Sequence, residues 1–290
     1  MASPTLLFTS TFIFTLFTTL LVTASLRLLA LFRTRGPRKS GKKGDPLHLL
    51  IVLGSGGHTQ EMLYFLEDLR TYKYTYRTYV VSSGDAFSAE RAKNFEEELE
   101  RREKEKGWPQ YQGNDSVNIE TVERENGWPL VSYTGPSKYT ICTVPRARKI
   151  HQPLLTTPFS ALQCLLGCFP TLLGTGNSSS KQPPQDKLSP PPNDIPDAIL
   201  INGPATAVIF ILASYILRFF NIRNSQTRRK MATIYIESFA RVSTLSLSGR
   251  FLEPFVDRFL VQWPQLAGGR REYRGDLIRG FGGGEHISVI

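Results

Sequence analysis

Cysteine is scarce in this chain: Cys142, Cys164 and Cys168 are the three it has in 290 residues. They are too few and too clustered for a disulfide framework, and they lack the paired spacing of a zinc site. A reduced compartment fits, and neither a metal nor any other cofactor is expected. Cys164 and Cys168 fall four apart in an apolar stretch and read as two small buried helix residues. Acid is missing from everything before Asp45, and charge of either sign is missing from the first 26 residues. Lys and Arg are therefore absent ahead of the apolar run, where a cleaved signal peptide usually opens on a basic segment. Aromatics do not recur through the basic runs Arg223 to Lys230 and Gly268 to Arg279 as a base-stacking platform requires, so the net charge of +10 does not point to nucleic acid.

The N-terminus instead holds Phe8, Phe12, Ile13, Phe14, Leu16, Phe17, Leu20, Leu21 and Val22, interspersed with Thr and Ser whose hydroxyls can return to the helix backbone. About 20 such residues cross a bilayer as a helix. An uncleaved single-pass transmembrane anchor is expected over residues 1–32, with a cleaved signal peptide as the rival reading. A basic juxtamembrane linker, 33–46, follows with Arg33, Arg35, Arg38, Lys39, Lys42 and Lys43. The positive-inside rule then puts the bulk of the chain in the cytosol. Such a cluster also attracts anionic headgroups, which accounts for part of the basic balance.

Beyond residue 46, short apolar runs alternate with helical patterns. Strands are expected at Leu47 to Leu53, Arg77 to Ser82, Tyr139 to Val144, Ala198 to Ile201, Thr233 to Ile236 and Asp257 to Gln262. Helices are expected from Thr59, over the charged stretch Glu90 to Lys106, near Phe159 to Cys168, from Pro204 to Phe220, and over Arg241 to Leu252. Alternation of this kind means an α/β fold, here a single Rossmann-like parallel sheet covered on both faces. The domain is expected over 47–275, with a low-complexity Gly, Ser, Pro and Asn insertion at 167–193 and a tail at 276–290. The charged stretch sets Glu97 against Arg101, Glu98 against Arg102 and Glu100 against Lys104, and reads as a solvated helix without specific function. Ala198 to Leu217 is uncharged over 20 residues, but Asn202, Gly203 and Pro204 interrupt it, which favours buried elements over a second span.

Gly54, Ser55, Gly56, Gly57, His58 and Thr59 stand where the first strand turns into the first helix. Glycines permit a tight turn and a close approach, and free N–H groups at a helix start favour a phosphate or pyrophosphate. A nicotinamide site is the obvious alternative. It fits poorly, because Thr59 occupies the third glycine position and Ser82 and Ser83 stand where the ribose-binding acid is expected. Asn202, Gly203 and Pro204 end the fourth strand, and Glu237 and Ser238 end the fifth, so the three turns should share the carboxyl edge of the sheet and converge on one crevice. His58 is either a general base or a hydrogen-bonded residue that fixes the turn. Glu237 either meets sugar hydroxyls, acts as a base, or partners the start of the following helix.

Gly54-Ser55-Gly56-Gly57-His58-Thr59-Gln60-Glu61-Met62, Pro145-Arg146-Ala147-Arg148, Asn202-Gly203-Pro204-Ala205-Thr206-Ala207, and above all Tyr235-Ile236-Glu237-Ser238-Phe239-Ala240-Arg241-Val242 through Phe255-Val256-Asp257-Arg258-Phe259 carry a family resemblance. They closely resemble the membrane-anchoring subunit of the eukaryotic UDP-N-acetylglucosamine transferase of asparagine-linked glycosylation. The resemblance covers about residues 5 to 275 apart from the charged helix and the insertion, which look like additions. That family is similar to the N-terminal, acceptor half of a bacterial GT-B glycosyltransferase. There, a Gly-Gly-His loop matching Gly56-Gly57-His58 is associated with a lipid-pyrophosphate acceptor. A His-Glu-Gln-Asn motif aligns with Ile236-Glu237-Ser238-Phe239 and keeps its Glu alone. The resemblance implies a separate soluble catalytic subunit that binds UDP-N-acetylglucosamine, and a lipid-linked acceptor, N-acetylglucosaminyl-diphosphodolichol, that receives its second N-acetylglucosamine. It implies the cytosolic face of the endoplasmic reticulum membrane and the contiguous nuclear outer membrane, and a chain not active alone. A self-sufficient membrane-bound glycosyltransferase and a membrane-tethered NAD(P)-binding protein are the competing readings.

Overall fold

Strands form where aliphatic and β-branched residues run together with no polar face to spare, the pattern of a parallel sheet covered on both sides. The computed structural model describes residues 4–33, 47–67, 69, 71, 74, 76–105, 139–148, 152–175, 195–203 and 205–273. Seven strands, β1 (His48–Val52), β2 (Tyr76–Ser82), β3 (Tyr139–Val144), β4 (Ala198–Asn202), β5 (Ala232–Ile236), β6 (Arg258–Val261) and β7 (Arg271–Tyr273), make one sheet in the order β3-β2-β1-β4-β5-β6-β7. Every pairing is parallel, with Leu49 set between Arg77 of β2 and Ala198 of β4. The strand order reverses between β1 and β4, which opens a crevice beyond their carboxyl ends.

Alternate residues along each central strand feed two cores. Leu50, Val52, Ile199 and Ile201 pack with Cys164 and Cys168 of α4 (Thr157–Leu172), Phe210 of α5 (Thr206–Phe219) and Leu252 of α6 (Leu247–Leu252). Leu49, Ile51, Ala198 and Leu200 pack on the other face with Met62 and Leu63 of α2 (Gly57–Phe65) and Ala92 of α3 (Ala86–Glu105). Ala198 to Leu217 is thus a fully buried strand and a 14-residue helix of the domain rather than a membrane span.

The N-terminal helix α1 (Pro4–Arg33) is long and apolar enough over Phe8–Arg33 to cross a membrane, and its large apolar side chains from Phe8 to Leu29 stand exposed. Those 26 residues span ~39 Å, more than the ~30 Å of a hydrocarbon core. Its surplus length docks. Arg27 donates to the carbonyls of Phe219 (2.9 Å) and Arg218 (3.2 Å), capping the C-terminus of α5. Leu31 is buried, and the Phe32 ring lies 6.2 Å from Tyr215 and 6.1 Å from Phe255. The helix therefore joins the domain directly, and the expected separation by a polar linker does not hold at its start; residues 34–46 lie outside the described residues.

Four other expectations change. The charged helix begins at Ala86 and is not merely solvated: Glu96 is 1% exposed and binds Arg77 through Nε–Oε1 (2.6 Å) and Nη2–Oε2 (2.7 Å), while Tyr79 donates to Oε1 at 2.7 Å. A buried carboxylate needs such partners, so the apparent surface helix is pinned to β2. Of its expected pairs, Glu98 meets Arg102 (2.8 Å), but Glu97 meets Lys93 and Arg101 meets Glu98 and Glu105; the Glu100–Lys104 pair lies outside the described residues. Helix α4 continues through the expected start of the insertion to Leu172, because Cys168, Thr171 and Leu172 bury; residues 176–194 and the tail lie outside the described residues. The helix expected from Arg241 starts only at Leu247, after a loop through Val242, Ser243 and Thr244, residues that favour non-helical backbone, with Ser246 as its cap. β7 adds a seventh strand after the Gly268-Gly269 turn; at three residues it leaves almost no pattern to read.

Candidate functional site

The loop after β1 is built by its glycines. A Cβ on Gly54 would lie 2.6 Å from the His58 Cβ, so only a hydrogen lets the chain close over the start of α2. Gly56, with φ +62°, is the N-cap of α2, and no side chain caps that terminus. Ser55, Gly56 and Gly57 are exposed, leaving the first-turn N–H groups and the positive end of the helix open to an anion. Thr59 is not part of that exposed surface. It is fully buried; its hydroxyl donates to the Gly54 carbonyl and pairs with Ser88 Oγ at 2.7 Å. Ser88 is in turn held by Asp85, whose carboxylate accepts from Ser88 N (3.1 Å) and Oγ (2.8 Å) at the start of α3. That carboxylate, the nearest after β2, is spent on capping a helix, which removes it from any ribose-binding role.

Three turns converge as expected, on a residue that sequence reasoning left out of the site. Glu61, one turn after His58 on α2, accepts from Asn202 Nδ2 of the β4 turn (Oε2, 3.1 Å) and from Ser238 Oγ of the β5 turn (Oε1, 2.9 Å). His58 Nδ1 lies 3.5 Å from Glu61 Oε2. Burial pushes the Glu61 carboxyl up, but its contacts with His58, Ser238 and Asn202 outweigh that and hold it below the usual carboxylate range. The signal was present in the spacing: residues three apart on a helix share a face. Gly203, with φ +92°, lets the β4 turn pass under the His58 ring, since a Cβ there would come within 3.3 Å of Cγ. Asn202 is 2% exposed and its Oδ1 has no hydrogen-bond partner among the described residues.

Glu237 sits beside this cluster but faces away from it. It is 1% exposed, and its carboxylate accepts from Ser238 N, Ser246 N and Ser246 Oγ, each at 3.1 Å. Gly249 is required above it, because a Cβ would lie 2.1 Å from Oε2. Of the readings open to Glu237, the geometry corresponds to the partner of the following helix. Gln262 donates to the Glu237 carbonyl (2.9 Å) and Trp263 to the Phe239 carbonyl (2.7 Å), so the whole β5 turn is braced from β6. No group of three or more His, Cys, Asp or Glu side chains placed to hold a metal occurs among the described residues.

Fold and site together define a doubly wound α/β domain whose crevice, at the reversal of strand order, offers an uncapped helix N-terminus and lies on a chain with an apolar N-terminal helix. The family model for Alg14-like oligosaccharide biosynthesis proteins matches residues 49–277, and the chain belongs to that family. Among its relatives is the UDP-N-acetylglucosamine transferase subunit alg14 of Aspergillus fumigatus, 42% identical over 71% of this chain and 93% of the relative. The subunits of that name in Schizosaccharomyces pombe and Homo sapiens are 37% and 31% identical, over 86% and 77% of this chain and 91% and 78% of their own lengths. A crystal structure of Acinetobacter baumannii MurG aligns with 79% of this chain and 45% of its own, at 12% identity and a TM-score of 0.40.

Proposed function

We propose that this chain is the membrane-anchoring, acceptor-holding subunit of a UDP-N-acetylglucosamine transferase. The relatives' names support the transferase, and the observation that carries the acceptor role is the open, glycine-built start of α2 at the reversal of strand order. A diphosphate suits that terminus: its charge meets the helix dipole and its oxygens meet free N–H groups. The acceptor that fits is a diphosphate carrying a sugar on one side and a lipid on the other, N-acetylglucosaminyl-diphosphodolichol. Ser55, Gly56, Gly57 and His58 would meet it. Gly54, Thr59, Asn202, Gly203, Ser238 and Glu237 would hold the shape of the crevice.

The donor belongs to a separate soluble subunit. The described residues build one sheet with one glycine-rich strand-to-helix turn, which the acceptor fills in this reading. In transfer, an acceptor hydroxyl forms the new C–O bond at the anomeric carbon of UDP-N-acetylglucosamine while the bond to UDP breaks and the hydroxyl proton leaves to a base. This chain's part is to hold the hydroxyl in line, which is worth most of a bimolecular barrier's entropy. The basic segment after α1 orients the domain to the cytosol, on the endoplasmic reticulum and contiguous nuclear outer membrane. The test is to co-purify the chain with its bound protein from native membranes and assay transfer to the lipid acceptor. Transfer by the pair and by neither part supports the reading; transfer by this chain alone makes it a self-sufficient enzyme, and none by the pair refutes it.

A further inference from the structure

We infer that Glu61 is a positioning residue of the crevice, one that ties the turns after β4 and β5 to α2 and holds the His58 ring with Nδ1–H toward its carboxylate and Nε2 toward the ligand. The inference rests on the acceptor reading above and goes beyond it in naming how the site keeps its geometry. Two donors from two turns meet one carboxylate, Asn202 at 3.1 Å and Ser238 at 2.9 Å, and His58 Nδ1 stands 3.5 Å from the same group. The first two stand at the carboxyl ends of the adjacent strands β4 and β5, where Asn202 pairs with Ile236, so the carboxylate ties that edge of the sheet to α2. The His58 side chain is 31% exposed while its Nδ1 is buried with no other partner among the described residues. Gly54 and Gly203 crowd its Cβ, Cγ and Cδ2. What remains open is the Nε2 edge. A ring whose Nδ1–H is directed at a carboxylate presents an Nε2 lone pair, so its outer nitrogen accepts a hydrogen bond from a sugar hydroxyl. The 3.5 Å separation exceeds an ordinary hydrogen bond by a few tenths of an ångström, the kind of slack that closes when a ligand settles.

Substitution separates geometry from charge. In Glu61→Gln the amide oxygen can take the Oε2 position and keep Asn202 and His58, while its NH2 faces Ser238 Oγ, a hydroxyl that can turn and accept. In Glu61→Ala all three groups lose that partner. The experiment uses the full chain with 15N-labelled histidine rings, in detergent, and the same variants in the co-purified complex. Expected are an Nδ1-protonated His58 in wild type and Glu61→Gln, and loss of that tautomer in Glu61→Ala. In the complex, kcat should fall on the order of a hundredfold for Glu61→Ala and at least tenfold less for Glu61→Gln, with the KM for UDP-N-acetylglucosamine unchanged in both. A merely structural Glu61 would lower melting temperature without moving the tautomer. An Nε2-protonated ring in wild type, or the same tautomer and kcat in Glu61→Ala, overturns the inference. A wild-type complex without transfer overturns the acceptor reading while leaving the tautomer result to stand by itself.

Discussion

Two neighbouring glycines should respond in opposite ways to the same methyl group. At Gly54 a Cβ would sit 2.6 Å from the His58 Cβ, short by 0.8 Å of the 3.4 Å at which ordinary contact begins. Both atoms are tied to backbone, so the start of α2 must retreat by most of that distance. Overpacking of this kind costs about 1–3 kcal/mol. At about 2–4 °C per kcal/mol for a domain of this size, the melting temperature of Gly54→Ala should fall by ~2–12 °C. The retreat also carries the open helix end and His58 off their alignment, and a misplacement near 1 Å costs on the order of a hundredfold in rate. At Gly57 nothing lies within 4 Å of a Cβ and φ is not left-handed. Gly57→Ala should therefore melt no lower than wild type, and up to about 1 kcal/mol of helix propensity favours it. A diphosphate on the α2 terminus would meet that methyl, so the KM for the lipid acceptor should rise at least tenfold. Both variants are read by thermal unfolding of the full chain in detergent and by transfer kinetics in the co-purified complex. Wild-type kinetics in Gly54→Ala, or an unchanged acceptor KM in Gly57→Ala, refutes the assignment of this loop.

Glu96→Ala takes the carboxylate from the buried Arg77 guanidinium and should cost about 3–5 kcal/mol, whereas the double variant Arg77→Met, Glu96→Leu should recover most of it; a single variant as stable as wild type by denaturant titration would dismiss the pin. Deleting residues 1–26 should leave the domain folded, since Arg27, Leu31 and Phe32 remain docked. Deleting 1–33 should lower stability by about 1.5–3 kcal/mol for Leu31 alone, a difference that melting of the two truncations measures directly. Glu61 titrates below its ordinary 4.5 in the fold, so its share of stability is complete above that value and is lost as pH falls through the folded-state value. The melting temperature of wild type should then drop more steeply than that of Glu61→Gln below pH 4.5, and parallel curves would contradict the ionised hub.

The six long strands and the convergence of their turns were legible because parallel strands write themselves as apolar runs ended by Gly, Asn or Glu. What escaped was tertiary. Glu96 looks like one more acid of a solvated helix until Arg77, 19 residues earlier, is seen to be buried beneath it. Thr59 and Glu237 sit in the right motifs, yet their side chains turn inward, one to Ser88 and one to Ser246, and no spacing records which way a side chain at a turn faces. Glu61 was quoted in the motif and passed over, since its meaning comes from Asn202 and Ser238, 141 and 177 residues away. Arg27 looks in the sequence like the first of the basic residues that follow the apolar run, though the structure uses it to cap α5.

The central claim is that this chain holds the acceptor while another holds the donor, and equilibrium binding of UDP-N-acetylglucosamine to the full chain alone, beside the co-purified complex, tests it most directly. The account predicts stoichiometric donor binding by the complex and none by the chain alone. Tight one-to-one binding of the donor by this chain by itself would contradict it.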